Sequence, residues 1–347
     1  MVDENTLSSL TTRVVTLARR PGVRLIPGDL RVTELQVAPP AEGQVTLRTI
    51  LASVDSYQLN LLRGKNLTRS RVGIGDTVLS DVVGEVIESR DPRAPVGSLV
   101  AAYSGWREFA TVTLRDTQIL DRALGGPAEW VSVLSGPGVT AYMGLHDVGG
   151  IKADDTVLVT SAAGAVGGAA VQIAKAAGAY VVAVAGGPAR AAHARDDLGA
   201  DVALDYLASD FESRLRSASE ARGGFDLFFD GVGGRQLALG VSLLANHGTA
   251  VLCGAVSSYA AGADPEARVD LTNVSSRRIN IRGFVAVDHY ERHPAIKAAI
   301  GALIREGKVK PVLSEFSGLD SAEEALAGLF ESGTPSFGKR VLALNTQ

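Results

Sequence analysis

Strand-like and helix-like segments alternate along most of the chain from about residue 125. The strand-like segments are mostly apolar, and helical segments follow them, such as GGAAVQIAKAAG after TVLVT. Apolar strands joined by helices are typical of a parallel sheet covered on both faces, so a doubly wound α/β domain is predicted. Its predicted strands are TVLVT (156–160), AYVVAVA (179–185), DVALDY (201–206), FDLFFD (225–230), GTAVLCG (248–254) and INIRGFVA (279–286).

The residues on either side of this region have a different pattern. Before it, short apolar runs such as DVVGEVIES are broken by Gly, Pro and Asp, which is typical of a compact β-rich domain. The tail from Val309 is again strand-like, and we expect it to complete that first domain. The predicted segments are a β-rich domain over 1–125, a doubly wound α/β domain over 126–305 and a C-terminal return over 306–347.

The charge and length of the chain exclude several classes of protein. The 347 residues have a formal charge of −4 and contain no long run of Lys or Arg, which argues against a nucleic-acid partner. No apolar stretch is long enough to span a membrane, and MVDENTLSSL does not have the pattern of a signal peptide. We therefore expect a cytoplasmic protein that binds neither a membrane nor nucleic acid.

The side chains that usually bind zinc are scarce. Cys253 is the single cysteine, so an intrachain disulfide and a four-cysteine zinc site are excluded. The 5 histidines form no HExxH motif. His289 and His293 are four residues apart, but the charged context and Pro294 indicate a solvated helix start. The sequence therefore predicts no metal site.

A glycine-containing loop follows the first predicted strand of the α/β domain. In TVLVTSAAGAVGGAA, Ala162, Gly164 and Gly167 occupy the three glycine positions of a dinucleotide-binding fingerprint. Gly164 allows the backbone to approach a pyrophosphate, and Gly167 allows close packing of helix on strand. The start of the helix, with Ala165 and Val166, then offers N–H groups to the phosphates. Glycines that serve packing alone are the alternative.

The turn after the second strand indicates which dinucleotide is bound. An NAD-binding fold has an acidic residue about 20 residues after the loop, but VVAVAGGPAR has Gly186 and Gly187 there, followed by Arg190. A guanidinium can pair with a 2′-phosphate, which a carboxylate would repel, so the pattern favours NADP. Tyr206, after the third strand, is a second candidate for that phosphate. A surface arginine and a half-buried structural tyrosine are the alternatives.

Segments along nearly the whole chain resemble one family. They are SVDSYQL, VVGEVIESRDPRAPVGSLVAAYSGWREFATV, GPGVTAYMGL, SAAGAVGG, AGGPAR, FFDGVGG, CGAVSSY, IRGFVA and SFGKRVL, in that order. The chain is similar to the zinc-independent medium-chain reductases that include leukotriene B4 12-hydroxydehydrogenase/prostaglandin reductase and alkenal double-bond reductase. This resemblance implies a GroES-like substrate domain, a Rossmann NADP-binding domain and a homodimer. It also implies NADPH-dependent reduction of the C=C bond of α,β-unsaturated aldehydes or ketones.

The resemblance also implies roles for individual residues. Tyr259 matches a tyrosine near the reacting carbonyl, and Tyr57 matches a pocket tyrosine; both are candidate catalytic residues. Tyr57 lies in the stretch 52–76, which is predicted as a loop. The backbone of 284–286 matches a strand that meets the nicotinamide amide. The cofactor-binding candidates are Thr140, Gly164, Ala165, Val166, Gly167, Gly187, Arg190, Tyr206, Gly231, Cys253, Gly254, Ala255, Val256, Ser257, Tyr259, Phe284, Val285, Ala286 and Ser336.

The chain departs from the family pattern near the expected pocket. Gly231 and Ser336 replace two asparagines on the cofactor side, and Gly136 replaces a methionine. Ser56 replaces the proline before Tyr57, with further changes at the next two positions. These departures leave the substrate open, but they do not weaken the argument for NADPH.

The implied reaction is hydride transfer to the β-carbon, followed by protonation of an enolate. Tyr259 and the nicotinamide ribose hydroxyl are candidate donors to the enolate oxygen, and Tyr259 or water gives the final proton. A quinone or enoyl-thioester reductase on the same fold is the nearest alternative. A non-enzymatic NADPH-binding protein is the second.

Overall fold

The computed structural model describes residues 10–64, 72–259, 266–330 and 336–344, and only the backbone of Ser258 and Tyr259. The chain divides into two compact units. The first contains Met1–Val131, Leu313–Glu331 and Lys339–Gln347, and the second contains Ser132–Val312 and Ser332–Gly338. The first unit thus ends at Val131 and resumes at Leu313, both later in the chain than the predicted boundaries at residues 125 and 305.

The segment Ser332–Gly338 belongs to the second unit, although the sequence assigned it to the C-terminal return. Two contacts within that unit explain the difference. The Gly338 N–H donates to the Ala163 carbonyl at 2.8 Å, and Gly338 forms a parallel bridge with Gly164. The chain therefore touches the glycine loop before it enters the last strand of the first unit.

Strands form the sheets of the first unit and the centre of the second. In chain order they are β1 Thr11–Leu17, β2 Leu30–Gln36, β3 Gln44–Val54, β4 Asp81–Ser89, β5 Leu99–Tyr103, β6 Phe109–Thr113, β7 Gln118–Ile119, β8 Thr156–Val159, β9 Tyr180–Ala185, β10 Val202–Asp205, β11 Phe225–Asp230, β12 Leu244–Leu252, β13 Asn280–Gly283, β14 Leu313–Ser317 and β15 Lys339–Ala343.

The α-helices lie mainly in the second unit. In chain order they are α1 Tyr57–Leu62, α2 Pro127–Val131, α3 Gly136–Tyr142, α4 Ala165–Ala176, α5 Pro188–Asp196, α6 Phe211–Glu220, α7 Gly234–Ser242, α8 Leu271–Arg277, α9 His293–Arg305 and α10 Ala322–Ala327. Short 3₁₀ segments cover Leu114–Asp116, Val256–Tyr259, Ala286–Arg292 and Leu319–Ser321, and a π-helical turn covers Met143–Val148.

The first unit is built on β-sheet, as its sequence pattern predicted. Its larger sheet has the strand order β14-β15-β3-β4-β5-β7, with β6 also paired to β3, and β1 pairs with β2. All of these pairs are antiparallel except β14 with β15. The sheet encloses a core that includes Leu17, Leu47 and the fully buried Trp106, whose indole N–H donates to the Ser53 carbonyl.

The prediction of a loop over 52–76 is wrong for much of that stretch. Its first residues complete β3, and α1 covers Tyr57–Leu62. The helix forms because Leu59, Leu61 and Leu62 are buried in the core of the unit. Residues 72–76 contain neither helix nor strand, as predicted, and residues 65–71 lie outside the described residues.

In the described part of the second unit, six parallel strands form one sheet in the order β10-β9-β8-β11-β12-β13. Counted within the unit, this is the 3-2-1-4-5-6 order of a Rossmann fold. The doubly wound α/β prediction is thus confirmed. The order reverses between β8 and β11, where a crevice opens at the carboxyl ends of the strands. Val157, Phe228 and Phe229 are buried on these strands because helices cover both faces.

β12 and β13 begin or end at other residues than the sequence predicted. β12 begins at Leu244, earlier than residue 248, and its pairing with β13 ends where Leu252 meets Gly283. Phe284 and Val285 therefore follow β13, and Ala286 begins a 3₁₀ segment. The prediction that 284–286 belong to a strand is wrong.

Candidate functional site

Most of the predicted cofactor residues lie together, at the carboxyl edge of the parallel sheet. This is the edge at which open α/β sheets bind ligands. Thr140 is an exception, because it lies on α3. The residues at this edge are 164–167 after β8, Gly187 and Arg190 after β9, Tyr206 after β10, Gly231 after β11, 253–257 after β12 and 284–286 after β13.

The loop after β8 is held by its own backbone. The Ser161 carbonyl accepts from the Gly164 N–H at 2.9 Å, and the Ala162 N–H donates to the Val184 carbonyl at 3.0 Å. Gly164 is the N-cap of α4, and a Cβ on Gly167 would lie 2.2 Å from the Ser161 carbonyl oxygen. A side chain is therefore excluded at Gly167, where α4 packs against the loop. The first N–H groups of the helix have no partner within the helix and can bind a ligand.

Ser161 takes the strained conformation of this loop. Its φ of +52° lies in the left-handed region, whereas the buried Ala162 does not have a positive φ. This explains why alanine is tolerated at the first glycine position of the fingerprint. The sequence analysis missed Ser161, because a serine carries no signal for a left-handed backbone.

The loop is also supported by Gly338. Gly338 has a φ of +66°, and a Cβ on it would lie 2.1 Å from the Val312 carbonyl oxygen. Its N–H donates to the Ala163 carbonyl, as described above. Glycine is therefore required at both contact points, Gly167 and Gly338.

The turn after β9 brings together the residues predicted to select the cofactor. Arg190, in the first turn of α5, donates from Nη1 to the Gly186 carbonyl at 3.3 Å and from Nε to the Ser336 carbonyl at 3.4 Å. The ring of Tyr206 approaches within 2.9 Å of the position that a Cβ on Gly186 would take. Arg190 and Tyr206, which were proposed from separate segments, thus meet at one turn.

Asp205 is a residue of this turn that the sequence analysis missed. Its Oδ1 accepts from the Gly187 N–H at 2.6 Å and from the Leu207 N–H at 2.9 Å. Gly187 has a φ of +89° and a ψ of 153°, a combination that only glycine adopts readily. The signal in the sequence was an acid at the end of the third strand, next to Tyr206.

A buried carboxylate links the ends of β8 and β11, where the strand order reverses. Asp230 is fully buried, and it accepts from the Thr160 hydroxyl at 2.6 Å, the Gly233 N–H at 2.8 Å and the Val232 N–H at 3.2 Å. Thr160 in turn accepts from the Gly231 N–H at 3.1 Å. Burial raises the pKa of Asp230, and these hydrogen bonds oppose the shift. The sequence analysis missed both Asp230 and Thr160.

Cys253 is connected to the same group. Its N–H and its thiol donate to the Asp230 carbonyl at 2.9 and 3.2 Å. Burial, and then the charge of Asp230, raise the pKa of the thiol to about 12. A thiol with this pKa stays protonated at neutral pH, so Cys253 is suited to packing and hydrogen bonding rather than to nucleophilic attack.

The loops after β11 and β12 are tied to each other. The Val256 N–H donates to the Gly231 carbonyl at 3.1 Å, and the Ser257 hydroxyl donates to the Val232 carbonyl at 2.6 Å. A Cβ on Gly231 would meet only the Cys253 sulfur, at 3.6 Å, which is an ordinary contact. The loss of the asparagine at Gly231 therefore leaves space without straining the loop.

Phe284 reaches the π-helical turn that follows α3. A Cβ on Gly144 would lie 2.5 Å from the ring of Phe229 and 3.0 Å from the ring of Phe284. Gly136 begins α3, and a Cβ there would meet nothing within 4 Å. The replacement of methionine at Gly136 thus leaves open space at this position.

The two candidate catalytic tyrosines are described to different extents. Tyr57 is the first residue of α1, directly after the turn that holds Asp55. The Asp55 carboxylate accepts from Lys339 Nζ and from the Ser53 hydroxyl, and the Asp55 N–H donates to Gln58 Oε1 at 2.8 Å. The side chain of Tyr259 lies outside the described residues, so its catalytic role stays a prediction.

Two further features are absent from the described residues. No group of three or more His, Cys, Asp or Glu side chains there is arranged to hold a metal ion. None of the helices in the same part of the chain is both long enough and apolar enough to cross a membrane.

Two family models match the chain, one for each part of the fold. The model described as "Zinc-binding dehydrogenase" matches residues 165–301. The model described as "N-terminal domain of oxidoreductase" matches residues 13–120.

Similar proteins cover nearly the whole chain. The NADPH-dependent curcumin reductase of Escherichia coli (strain K12) is 35% identical over 331 residues, which cover 94% of this chain and 95% of that protein. The NADP(+)-dependent 2-alkenal reductase of Nicotiana tabacum is 31% identical, over 89% of this chain and 90% of that protein. The crystal structure of CurA from Vibrio vulnificus in complex with NADPH has a TM-score of 0.87 and 31% identity, over 96% of this chain and 100% of that one.

Proposed function

Since this chain belongs to the zinc-independent medium-chain reductase family of the prostaglandin and alkenal reductases, we propose that it reduces the C=C bond of α,β-unsaturated carbonyl compounds with NADPH. One observation carries the cofactor assignment. Arg190 and Tyr206 meet at Gly186, where an NAD-binding fold would have an acidic residue.

The residues at the carboxyl edge fit a phosphorylated dinucleotide. Gly164, the N-cap of α4, leaves the backbone open to a pyrophosphate, and Gly167 lets the start of the helix pack closely against the loop. Arg190 supplies a positive charge and a fork of N–H donors for a 2′-phosphate. The deep side of the crevice is held rigid by Asp230 and Thr160, whose polar atoms are bonded to each other.

Two tyrosines are proposed to serve the substrate side of the reaction. NADPH, when bound, supplies the hydride that adds to the β-carbon of the substrate. Charge then moves to the substrate carbonyl oxygen, and we assign the phenol of Tyr259 to donate a hydrogen bond to that oxygen. The α-carbon takes its proton from Tyr259 or from water, since a phenol with an ordinary pKa of about 10 is a competent donor to an enolate. Tyr57 is assigned to shape the substrate pocket.

A product analysis tests this function. The purified protein is mixed with NADPH and a conjugated enone, and NADPH absorbance and the product mass are followed. We expect the saturated ketone as product, and no consumption of NADPH with the matched saturated ketone as substrate. Formation of the allylic alcohol, or turnover of quinones without turnover of enones, would contradict the proposal.

We further propose a cytoplasmic homodimer. Among the described strands, β13 is one of the two edge strands of the parallel sheet, and its one large apolar side chain, Ile281, is 42% exposed. An exposed edge strand can pair with its counterpart in a second copy. The mass of the protein in solution, measured by light scattering for the native chain and for Ile281→Lys, tests this: the variant is expected to be a monomer. The cytoplasmic location is proposed from the polar, acidic start of the sequence, and the single cysteine, which allows no intrachain disulfide, agrees with it.

A further inference from the structure

Asp205 places a carboxylate beside the turn that carries Arg190 and Tyr206. Both of its hydrogen bonds, from the Gly187 and Leu207 N–H groups, go to Oδ1. Among the described residues, no donor or cation is bonded to Oδ2. Asp205 is half-buried, and its Oδ2 is not among the buried polar atoms that lack a partner.

The position of Asp205 matters because an acid is missing elsewhere. In an NAD-binding fold, an acid at the end of the second strand accepts from the ribose 2′-hydroxyl. Here the second strand, β9, ends in Ala185 and is followed by two glycines. Asp205 comes from the end of the neighbouring strand, β10, and its Oδ1 is 2.6 Å from the N–H of the second of those glycines. The acid therefore reaches the turn from the adjacent strand.

We propose that Asp205 sets the discrimination between the two dinucleotides, and that it allows the protein to use NADH as a second cofactor. Its Oδ1 orders the Gly187 turn, while Oδ2 accepts from a ribose 2′-hydroxyl and repels a 2′-phosphate. Arg190 and Tyr206 favour the phosphate, and Asp205 opposes them. This inference rests on the proposed NADPH-dependent function.

Asp205→Asn separates the two effects of the carboxylate. The amide oxygen can keep both N–H donors of the turn, so the Gly187 conformation is retained. The amide nitrogen replaces Oδ2 and turns an acceptor with negative charge into a donor. The variant should therefore bind a 2′-phosphate more tightly and a 2′-hydroxyl less tightly.

A binding experiment on the full chain tests the proposal without turnover. Calorimetry gives the dissociation constants for adenosine 2′,5′-bisphosphate and adenosine 5′-monophosphate, and their ratio reports the contribution of the 2′-phosphate. We expect Asp205→Asn to raise this preference for the bisphosphate by roughly tenfold. Asp205→Ser, which also removes the charge, should raise it in the same direction and serves if the asparagine variant does not fold.

Asp201→Asn is the matched control. Asp201 also accepts an N–H from β9, from Val181 at 2.7 Å, but it precedes β10 and so lies at the opposite edge of the sheet. It also pairs with Lys175 at 2.8 Å. Its substitution should leave the ratio of the two dissociation constants unchanged.

The outcomes distinguish this inference from the proposed function. If the native protein has no preference for the bisphosphate, the NADPH assignment itself is wrong. If the native protein prefers the bisphosphate but folded Asp205→Asn has an unchanged or smaller preference, the role of Asp205 is overturned. NADH-dependent turnover by the native protein that falls in Asp205→Asn supports the second cofactor, and its absence in the native protein overturns that part.

Discussion

The turns after β8 and β9 face the same edge of the sheet, but they are held in different ways. The loop after β8 depends on backbone hydrogen bonds and on glycines, such as Gly167, that no other residue can replace. The turn after β9 depends on the side chains of Asp205, Tyr206 and Arg190, which come from a neighbouring strand and helix. Sterics thus determine the first turn, and charge determines the second.

This difference separates two properties of one binding site. In the proposed function, the first turn contacts what all dinucleotides share, so its geometry should tolerate little change. The second turn is proposed to meet the group that differs between dinucleotides, and a single substitution there can alter its charge without moving the backbone. Affinity and selectivity should therefore respond to different substitutions.

The largest effect is expected from a side chain in the first turn. In Gly167→Ala the new Cβ would lie 2.2 Å from the Ser161 carbonyl oxygen, so α4 must move away from the loop. Binding of both adenosine nucleotides should weaken by up to about 100-fold, since overpacking typically costs ~1–3 kcal/mol. Gly168→Ala is the control, because its Cβ approaches its neighbours no closer than 3.3 Å. Equal calorimetric affinities for the two variants would contradict the claim that sterics at Gly167 determine the first turn.

Substitution in the second turn should change selectivity instead. Arg190→Ala removes a cation that binds the 2′-phosphate, so affinity for adenosine 2′,5′-bisphosphate should fall by about 30-fold, or ~2 kcal/mol. Affinity for adenosine 5′-monophosphate should stay within about twofold. Arg190→Lys keeps the charge but not the fork of N–H donors. Its affinity for adenosine 2′,5′-bisphosphate, measured by calorimetric titration, should lie between those of the native protein and Arg190→Ala. An equal loss for both nucleotides would show that Arg190 only supports the fold.

A smaller effect is expected below the two turns, where Thr160 donates to Asp230. Thr160→Val leaves the carboxylate without its 2.6 Å donor and should lower the free energy of unfolding by about 1–2 kcal/mol, measured by urea titration. Thr160→Ser keeps the hydroxyl and should recover most of the loss.

The loss in Thr160→Val should also depend on pH. The hydroxyl stabilises the ionised carboxylate, whose pKa burial raises, so removing it raises that pKa further. The loss is therefore full at neutral pH and shrinks as the pH falls through the pKa of Asp230 in the folded protein. A loss that is the same at about pH 4 and pH 8 would mean that Asp230 is not the partner that matters.

The smallest effect concerns Cys253, at the neighbouring strand end. Its pKa of about 12 keeps the thiol protonated, so iodoacetamide at about pH 8 should label the native protein at least tenfold more slowly than the urea-unfolded protein. Because the thiol pKa is raised in the folded state, ionisation of Cys253 favours unfolding. The folded protein therefore keeps its full free energy of unfolding below the ordinary thiol pKa and loses part of it as the pH rises toward 12. Mass spectrometry of the labelled peptide measures the rate. Fast native labelling would place Cys253 in an open part of the edge.

The sequence predicted the parallel sheet and much of its carboxyl edge for identifiable physical reasons. Strands buried on both faces are continuously apolar, and the glycine loop has a spacing fixed by its contacts. Arg190 was found because an expected acid was absent. The departures at Gly231 and Gly136 were visible as substitutions, and the structure shows that both leave space.

What the sequence did not predict depends on contacts between distant residues. Asp230 and Thr160 are 70 residues apart, and only the pairing of β11 with β8 joins them. Ser161 carries the left-handed backbone because Ala162 is packed, which no local pattern indicates. α1 was taken for a loop because its 6 residues are too few to show a helical period, and the burial of its leucines depends on the rest of the unit.

The order of strands in the first unit has a consequence for synthesis on the ribosome. β15 lies between β14 and β3, so the larger sheet of that unit stays incomplete until residues 339–343 have left the exit tunnel. The parallel sheet of the second unit, made from residues 156–283, can close earlier. Translation therefore begins with the unit that finishes folding last. Until β15 is made, the edge of β3 that pairs with it stays exposed and can pair with other chains. A nascent chain arrested before β15 is the form of this protein that most needs a chaperone.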